Sequence, residues 1–443
     1  MQDVEESREL IEFIRRSPSP FHAVAEVRRR LDAAGFSYLD EGDAWHVEPG
    51  GSYYTTRNGS SLVAFSIPAD LPAGVHFQMT AAHTDAPTFK LKAVPTLEGP
   101  ASYVRLDVEA YGGMIDSTWL DRPLGLAGRV LVRDADGRGA TSRLFSPDRD
   151  LVLIPNVAIH FNREVNKGYA FNRQVDLCPL FSAGELRAGD FDRLVAAELG
   201  VEPEAILARE LCLVNRQPGR VWGWADEFTS TPKLDDLQCA FASVKALLAA
   251  GTPVGHINVC ALFDNEEVGS GTKQGALSTF LRDVLVRLCG ALGLGQEDYL
   301  RALAGSMLVS CDNAHALHPN HPEKHDEANR ALLNRGLVVK EAANQKYTTD
   351  AFSRAVLRAV CDDAGVPLQT FANRSDSAGG STLGNLSNEQ VSVHAVDVGL
   401  PQLAMHSSYE TTGTADTALG IAALRAFFSR DVRIRGAEGF ELA

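Results

Sequence analysis

Two adjacent carboxylates at the exit of an apolar strand constrain this chain more than any other feature. In HINVCALFDNEEVGSG, residues 256–271, a short run of apolar and β-branched residues reads as an interior strand, and Glu266 and Glu267 fall just beyond its end, ahead of a glycine turn. Ligands of open α/β sheets gather outside the carboxyl ends of the strands. Two like charges side by side push one pKa up unless something positive stands between them, and a metal ion is the simplest remedy. A solvated acidic turn is the plainer reading of a Glu-Glu pair, and it loses ground only if the rest of the chain supplies further ligands.

Further candidates follow other apolar runs. In VHFQMTAAHTDAP, residues 75–87, Val75, Phe77, Met79 and Ala81 alternate along a predicted strand whose exit carries His83 and Asp85. Their spacing on extended chain sets both side chains on one face, and a carboxylate beside an imidazole suits a metal ligand whose other ring nitrogen is held in place. TSTPKLDDLQCAFASVKALLAA, residues 229–250, predicts a helix with Asp235 and Asp236 at its start, where the macrodipole favours acids and where one of the pair also suits a bridge between metals. SMLVSC predicts a strand ending at Asp312, followed by His315, His318, His321 and His325; Pro319 and Pro322 break any regular ligand face, so only some of these histidines are assigned to a site. Lys340 and Tyr347 precede another predicted helix, and His406 follows the strand pattern of VSVHAVDVGLPQLAMH.

His83, Asp235, Glu267, Asp312 and His406 are therefore the candidate ligands. Nitrogen and oxygen donors without cysteine fit zinc, with manganese or cobalt as alternatives. Five exceed one four-coordinate ion but suit two ions sharing a carboxylate, ~3.5–4 Å apart. The seven cysteines are odd in number and form no CxxC pair, which predicts reduced core thiols.

A chain of 443 residues is long enough for two or more domains. Two amphipathic helices are expected over residues 5–16 and 20–34, with the Ser and Pro of SPSPF in capping positions and His22 packed or capping nearby. Asn58 and Gly59 predict a hairpin turn. Residues 88–231 change to alternating strands and Gly-, Asp- and Pro-rich turns, which predicts a β-rich insert bracketed by Pro87 and Pro232. Inside it His160 has no catalytic company in sequence and reads as a surface or core histidine. FANRSDSAGGSTLGN is a glycine-serine loop without the lysine of a P-loop. The net charge of −15 argues against nucleic acid as a partner, and an acidic substrate would need local cations to hold it. No apolar run reaches the ~18 residues of a membrane span. The acidic, amphipathic start MQDVEESRELIEFIRR is unlike a secretory leader, so a cytoplasmic location is expected.

SPSPFHAV, AAHTDAP, IPNVAIHFNREVN, PKLDDLQ, LFDNEEVGSGT, VSCDNAHALHPN, SDSAGGSTLG and PQLAMHSSYE run in one order from near residue 17 to near residue 410. Together they resemble the M18 metallopeptidases, typified by aspartyl aminopeptidase. The resemblance implies two zinc ions per subunit bridged by Asp235, one completed by His83 and Asp312 and the other by Glu267 and His406. It further implies Glu266 as general base, Asp85 orienting His83, and His315, Lys340 and Tyr347 contacting substrate. It reverses the reading of His160, which is then expected to reach a neighbouring subunit's site. The expected fold is α/β, with a three-layer α/β/α zinc-exopeptidase (phosphorylase/hydrolase-like) catalytic domain over residues 1–86 and 232–443. Residues 87–231 are expected to form an inserted β-rich dimerisation domain, and the assembly a tetrahedral homododecamer acting on peptides with acidic N-terminal residues. A broad aminopeptidase preferring neutral residues, another dinuclear hydrolase such as a deacylase, and a catalytically idle binding scaffold are the alternatives.

Overall fold

The computed structural model describes residues 2–72, 74–377 and 379–443; Ala378, within the SDSAGGSTLG loop, lies outside them. The chain is mixed α/β and forms two compact units, one of residues 1–85, 219–405 and 410–443, the other of residues 86–218 and 406–409.

The first unit is built on a nine-stranded sheet. Its middle strands, Ile257–Phe263, Phe77–His83, Met307–Cys311 and His394–Gly399, are neighbours in that order and all parallel, so their carboxyl ends reach one edge together. Phe263 pairs with His83 in register. The alternation read from residues 75–81 has a direct counterpart: Val75, Phe77, Met79 and Ala81 join Val63, Phe65, Val259 and Ala261 in one apolar cluster with the helices Phe280–Ala291 and Gln296–Ala304. Ala82, Leu62, Ala64, Cys260 and Leu262 face a second cluster with the helices Gln2–Arg15, Pro20–Ala33, Leu234–Ala250, Ala351–Ala364 and Asp416–Ser429. Both faces are covered, which is why every residue of Phe77–His83 is buried, the polar ones included. Gln78 shows how such a residue is accommodated: its amide nitrogen donates to the Phe427 carbonyl and its oxygen accepts from Val432 N at 2.8 Å.

The local signals carried unequal weight. The Ser52–Arg57 and Ser61–Ser66 strands pair across Asn58 and Gly59, both at positive φ (60° and 67°), as the Asn-Gly dipeptide predicts. Ser19 stands at the N-cap of Pro20–Ala33, but its hydroxyl bonds His22 Nδ1 at 2.8 Å and makes no side-chain cap bond. Residues 219–231, assigned to the insert by their pattern, belong to the first unit because Phe228–Thr231 pairs with Glu410–Gly413. The seven cysteines are buried and stand outside disulfides.

The second unit is a seven-stranded antiparallel sheet in which Ile206–Asn215 pairs with both Thr88–Glu98 and Pro123–Arg133, closing the sheet on itself. Gly128 permits that closure, since a Cβ there would stand 1.9 Å from the Glu210 carbonyl oxygen. Phe89, Leu106, Trp119, Leu124, Val130 and Leu213 fill its core. Among the described residues, no helix is long and apolar enough to cross a membrane.

Candidate metal centre

The parallel edge of the first unit gathers most of the expected site. His83 ends its strand with its ring fully buried. Its Nδ1 lies 3.1 Å from the Asp85 carbonyl oxygen and 3.3 Å from Asp85 Oδ1, while its Nε2 faces Asp235 Oδ1 at 3.3 Å and Asp312 Oδ1 at 3.9 Å. Asp85 also accepts from the backbone: Glu266 N donates to Oδ1 and Glu267 N to Oδ2, each at 3.2 Å. The turn that aims the two glutamates forms because Asn265 (φ 63°) and Gly269 (φ 93°) take left-handed conformations at either end of a short 3-10 turn, Glu266–Val268. Ligand atoms of His83, Asp235, Asp236 and Asp312 lie within 4.8 Å of one another, and so do those of His83, Glu266 and Glu267.

The carboxyl edge also holds Asp236, named from the sequence only as one of a pair, and Glu410, which the sequence did not single out. Asp236 is wholly buried and accepts from His83 N at 3.1 Å and from Asn313 N at 3.2 Å, pinning the two strand ends that carry His83 and Asp312. Glu410 accepts from Asp235 N at 3.0 Å. Asp235 (φ −80°, ψ 109°) and Asp236 (φ −120°, ψ 24°) depart from helical angles, so the pair stands outside the regular helix that follows. The Asp-Asp doublet was the available signal, but helix-start acids are common enough to hide which of the two is structural.

Lys340 is buried beside Asp312, its Nζ 2.7 Å from the Asp312 carbonyl oxygen and 3.9 Å from Oδ2, with the Tyr347 ring 5.3 Å away. His315 is exposed on the short strand Ala314–His315, its ring 6.1 Å from that of Phe371. His160 is exposed in a turn of the second unit. His406 belongs to that unit's 406–409 segment, where its Nδ1 bonds the Gly113 carbonyl and its own carbonyl accepts from Ile115 N at 3.0 Å.

The profile of the family described as "Aminopeptidase I zinc metalloprotease (M18)" matches residues 13–428. A probable M18 family aminopeptidase 2 of Clostridium novyi is 41% identical over 426 residues, covering 96% of this chain and 98% of the relative. The chain belongs to the M18 family. Among solved structures, Ape4 in its complex with Nbr1 matches with a TM-score of 0.92 and 36% identity, over 97% of this chain and 86% of that one. The S. cerevisiae mApe1 dodecamer matches with a TM-score of 0.86 and 28% identity, over 97% of each chain.

The donor set of this M18 chain fits a cation. Burial pushes the Glu266 carboxyl up to about 8, and the charges of Asp312, Asp85 and Asp235 push the same way against the pull of His83. Burial and neighbouring carboxylates likewise raise Glu267, Asp236 and Asp312, the last despite Lys340 beside it. Burial opposes charge on His83, but Asp236, Asp235 and Asp85 outweigh it and hold the imidazole well above its ordinary pKa. So many carboxylates, set around one imidazole and one fixed ammonium, match the hard oxygen and imidazole donors that zinc takes.

Proposed function

We propose that this M18 chain is a dinuclear zinc aminopeptidase that removes N-terminal residues from peptides, with acidic residues preferred. The observation that carries the reading is the convergence of the buried His83, Asp235 and Asp312 with the half-buried Glu266 and Glu267 at the carboxyl ends of parallel strands. Asp235 would be shared between two ions, with His83 and Asp312 holding one and Glu267 and His406 the other; manganese or cobalt would suit the same donors. Zinc, when bound, supplies a water of low proton affinity and a polarised carbonyl.

The chain's own residues do the rest. Glu266 has a backbone N–H fixed on Asp85, and burial gives its carboxylate a higher proton affinity than an exposed one, so in its ionised form it would take the proton of the attacking water and pass it to the departing amine. Asp85 keeps the His83 ring oriented. Tyr347 or His315 donates to the developing oxyanion, and Lys340, with His160 from a neighbouring subunit, pairs with the substrate's side-chain carboxylate. Consistent with the dodecamer formed by the S. cerevisiae relative, the assembly is read as a tetrahedral homododecamer in the cytoplasm, its second unit serving as the inserted dimerisation domain of a three-layer α/β/α zinc exopeptidase. Such an enclosure admits peptides and excludes folded proteins.

One observation favours a broader preference for neutral residues: the Lys340 ammonium already donates to the Asp312 carbonyl and is buried. Comparing kcat/KM for Asp-, Glu- and Leu-amide substrates in the wild type and in Lys340→Ala separates the two, because a carboxylate partner loses selectively on the acidic substrates. Equal losses on all three favour the neutral reading. Peptide cleavage at full rate after complete chelation would remove the metal mechanism altogether.

A further inference from the structure

The opposite edge of the same sheet holds a second set of ligand-type side chains. His76 stands immediately before the Phe77–His83 strand and His256 immediately before Ile257–Phe263; because these strands are parallel neighbours, both histidines reach the amino-end edge together. Asp431, just before the C-terminal hairpin of Val432–Arg435 and Gly439–Leu442, packs against them. Relative exposures are 7% for His76, 1% for His256 and 5% for Asp431. Seven residues of strand, at ~3.3 Å each, put this cluster roughly 23 Å from His83.

The cluster has more acceptors than donors. His76 Nε2 and Asp431 Oδ1 face each other at 3.3 Å, yet both are buried atoms without a hydrogen-bond partner. Asp431 Oδ2 is taken by Arg433 Nε at 2.7 Å, which fixes the carboxylate and leaves Oδ1 turned inward. His256 sets Nε2 3.1 Å from the Phe428 carbonyl oxygen and Nδ1 3.0 Å from that of Val254, with Nδ1 3.9 Å from Asp431 Oδ1. A neutral imidazole can donate to only one of these carbonyls, so its other lone pair is set against oxygen. Burial lowers the pKa of both imidazoles, His76 to about 4, so a proton is a poor remedy at neutral pH. A cation is a better one.

We propose that His76 Nε2, His256 Nδ1 and Asp431 Oδ1 form a zinc site separate from the catalytic centre. Two ligands each ~2.0–2.1 Å from a tetrahedral ion stand about 3.3 Å apart, the separation already present between His76 and Asp431. With Nδ1 on the ion, His256 Nε2–H donates to the Phe428 carbonyl, the arrangement in which a backbone oxygen fixes a metal-binding imidazole. The Val254 carbonyl oxygen stands beside the remaining coordination position. Space for Asp431 depends on Gly255, where a Cβ would lie 2.4 Å from Oδ2. Asp431 also pairs through its backbone with Ala443, N to O at 3.1 Å and O to N at 3.0 Å. An ion here ties the end of the chain to two core strands, and its binding energy becomes folding stability.

The test is made on the full zinc-loaded protein. Metal content of the wild type should exceed that of His256→Gln and of Asp431→Asn by one zinc per chain, with kcat at saturating zinc unchanged, and zinc should raise Tm further in the wild type than in either variant. Wild-type crystals grown with zinc should show an anomalous peak between His76, His256 and Asp431, a readout independent of whether the variants fold. Equal zinc content in wild type and variants, or the absence of that peak in zinc-saturated crystals, overturns the proposal.

Discussion

At their carboxyl ends the Phe77–His83 and Ile257–Phe263 strands deliver one imidazole into a crowd of carboxylates; at their amino ends the same strands are preceded by two imidazoles facing a single carboxylate. The difference is one of charge balance. Asp235, Asp236, Glu266, Glu267 and Asp312 each cost desolvation and repel one another, and the Lys340 ammonium offsets only part of that. Cations are therefore a condition of the carboxyl edge. At the amino edge Arg433 already balances Asp431 and both histidines are disposed to be neutral, so the fold can stand with or without an ion. One edge has a geometry that waits for metal, and the other has a geometry that metal would reinforce.

The largest effect should come from separating charge from ligation at the carboxyl edge. Glu266→Gln keeps the size of the side chain and the N–H bond to Asp85 but removes the proton acceptor. Its kcat should fall by about 10²–10⁴-fold, the usual range for a general acid-base, with zinc content unchanged. If turnover survives, or if zinc is lost in parallel with it, the distinction drawn between Glu266 and Glu267 fails. The amino edge supplies the contrast, since His256→Gln should leave kcat at saturating zinc where it was.

Next in size is Asp236, which touches the strand ends that present His83 and Asp312. Asp236→Asn retains one acceptor oxygen but replaces the other with a donor facing a backbone N–H, so one of those two bonds must break. Groups that orient ligands typically matter by about 10–100-fold in metal affinity. A zinc titration should show that loss in Asp236→Asn, with a smaller loss in Glu410→Gln, which can still accept from Asp235 N. Unchanged affinity in Asp236→Asn would reduce Asp236 to a packing residue.

These residues show how much was legible in the chain. Strand ends were readable because apolar runs stop where the sheet stops: His83 closes one such run, Asp312 follows another directly, and Glu266 and Glu267 come within four residues of a third. Asp236 and Glu410 were not, because their partners are backbone amides more than seventy residues away, and nothing in local composition marks that pairing. The amino-edge cluster was invisible for the same reason: His76, His256 and Asp431 each look like a residue beside a strand, and only the parallel pairing of two strands with a C-terminal hairpin beyond brings them together. The β-rich character of the second unit was plain in the alternation of residues 88–215, whereas the place of residues 219–231 depended on pairing with Glu410–Gly413, again far off in sequence.

The smallest expected effect concerns a fourth imidazole, His22, which belongs to neither edge and so calibrates them. On the Pro20–Ala33 helix its Nδ1 meets the Ser19 hydroxyl at 2.8 Å, and burial, with the Lys233 charge, lowers its pKa to about 4. Its folded-state value thus lies below the ~6.5 of an unfolded histidine. Between those values the unfolded chain binds the proton and the folded chain does not, so the stability this neutral imidazole contributes is present above pH 6.5 and is lost as pH falls towards 4. From pH 7 to pH 5 the loss is at most about 2 kcal/mol. His22→Asn, which keeps an acceptor near Nδ1, should flatten that part of the stability-against-pH curve when urea midpoints are measured at both pH values. An identical slope in the variant would assign the acid sensitivity elsewhere, with the imidazoles of the amino edge the next to be replaced.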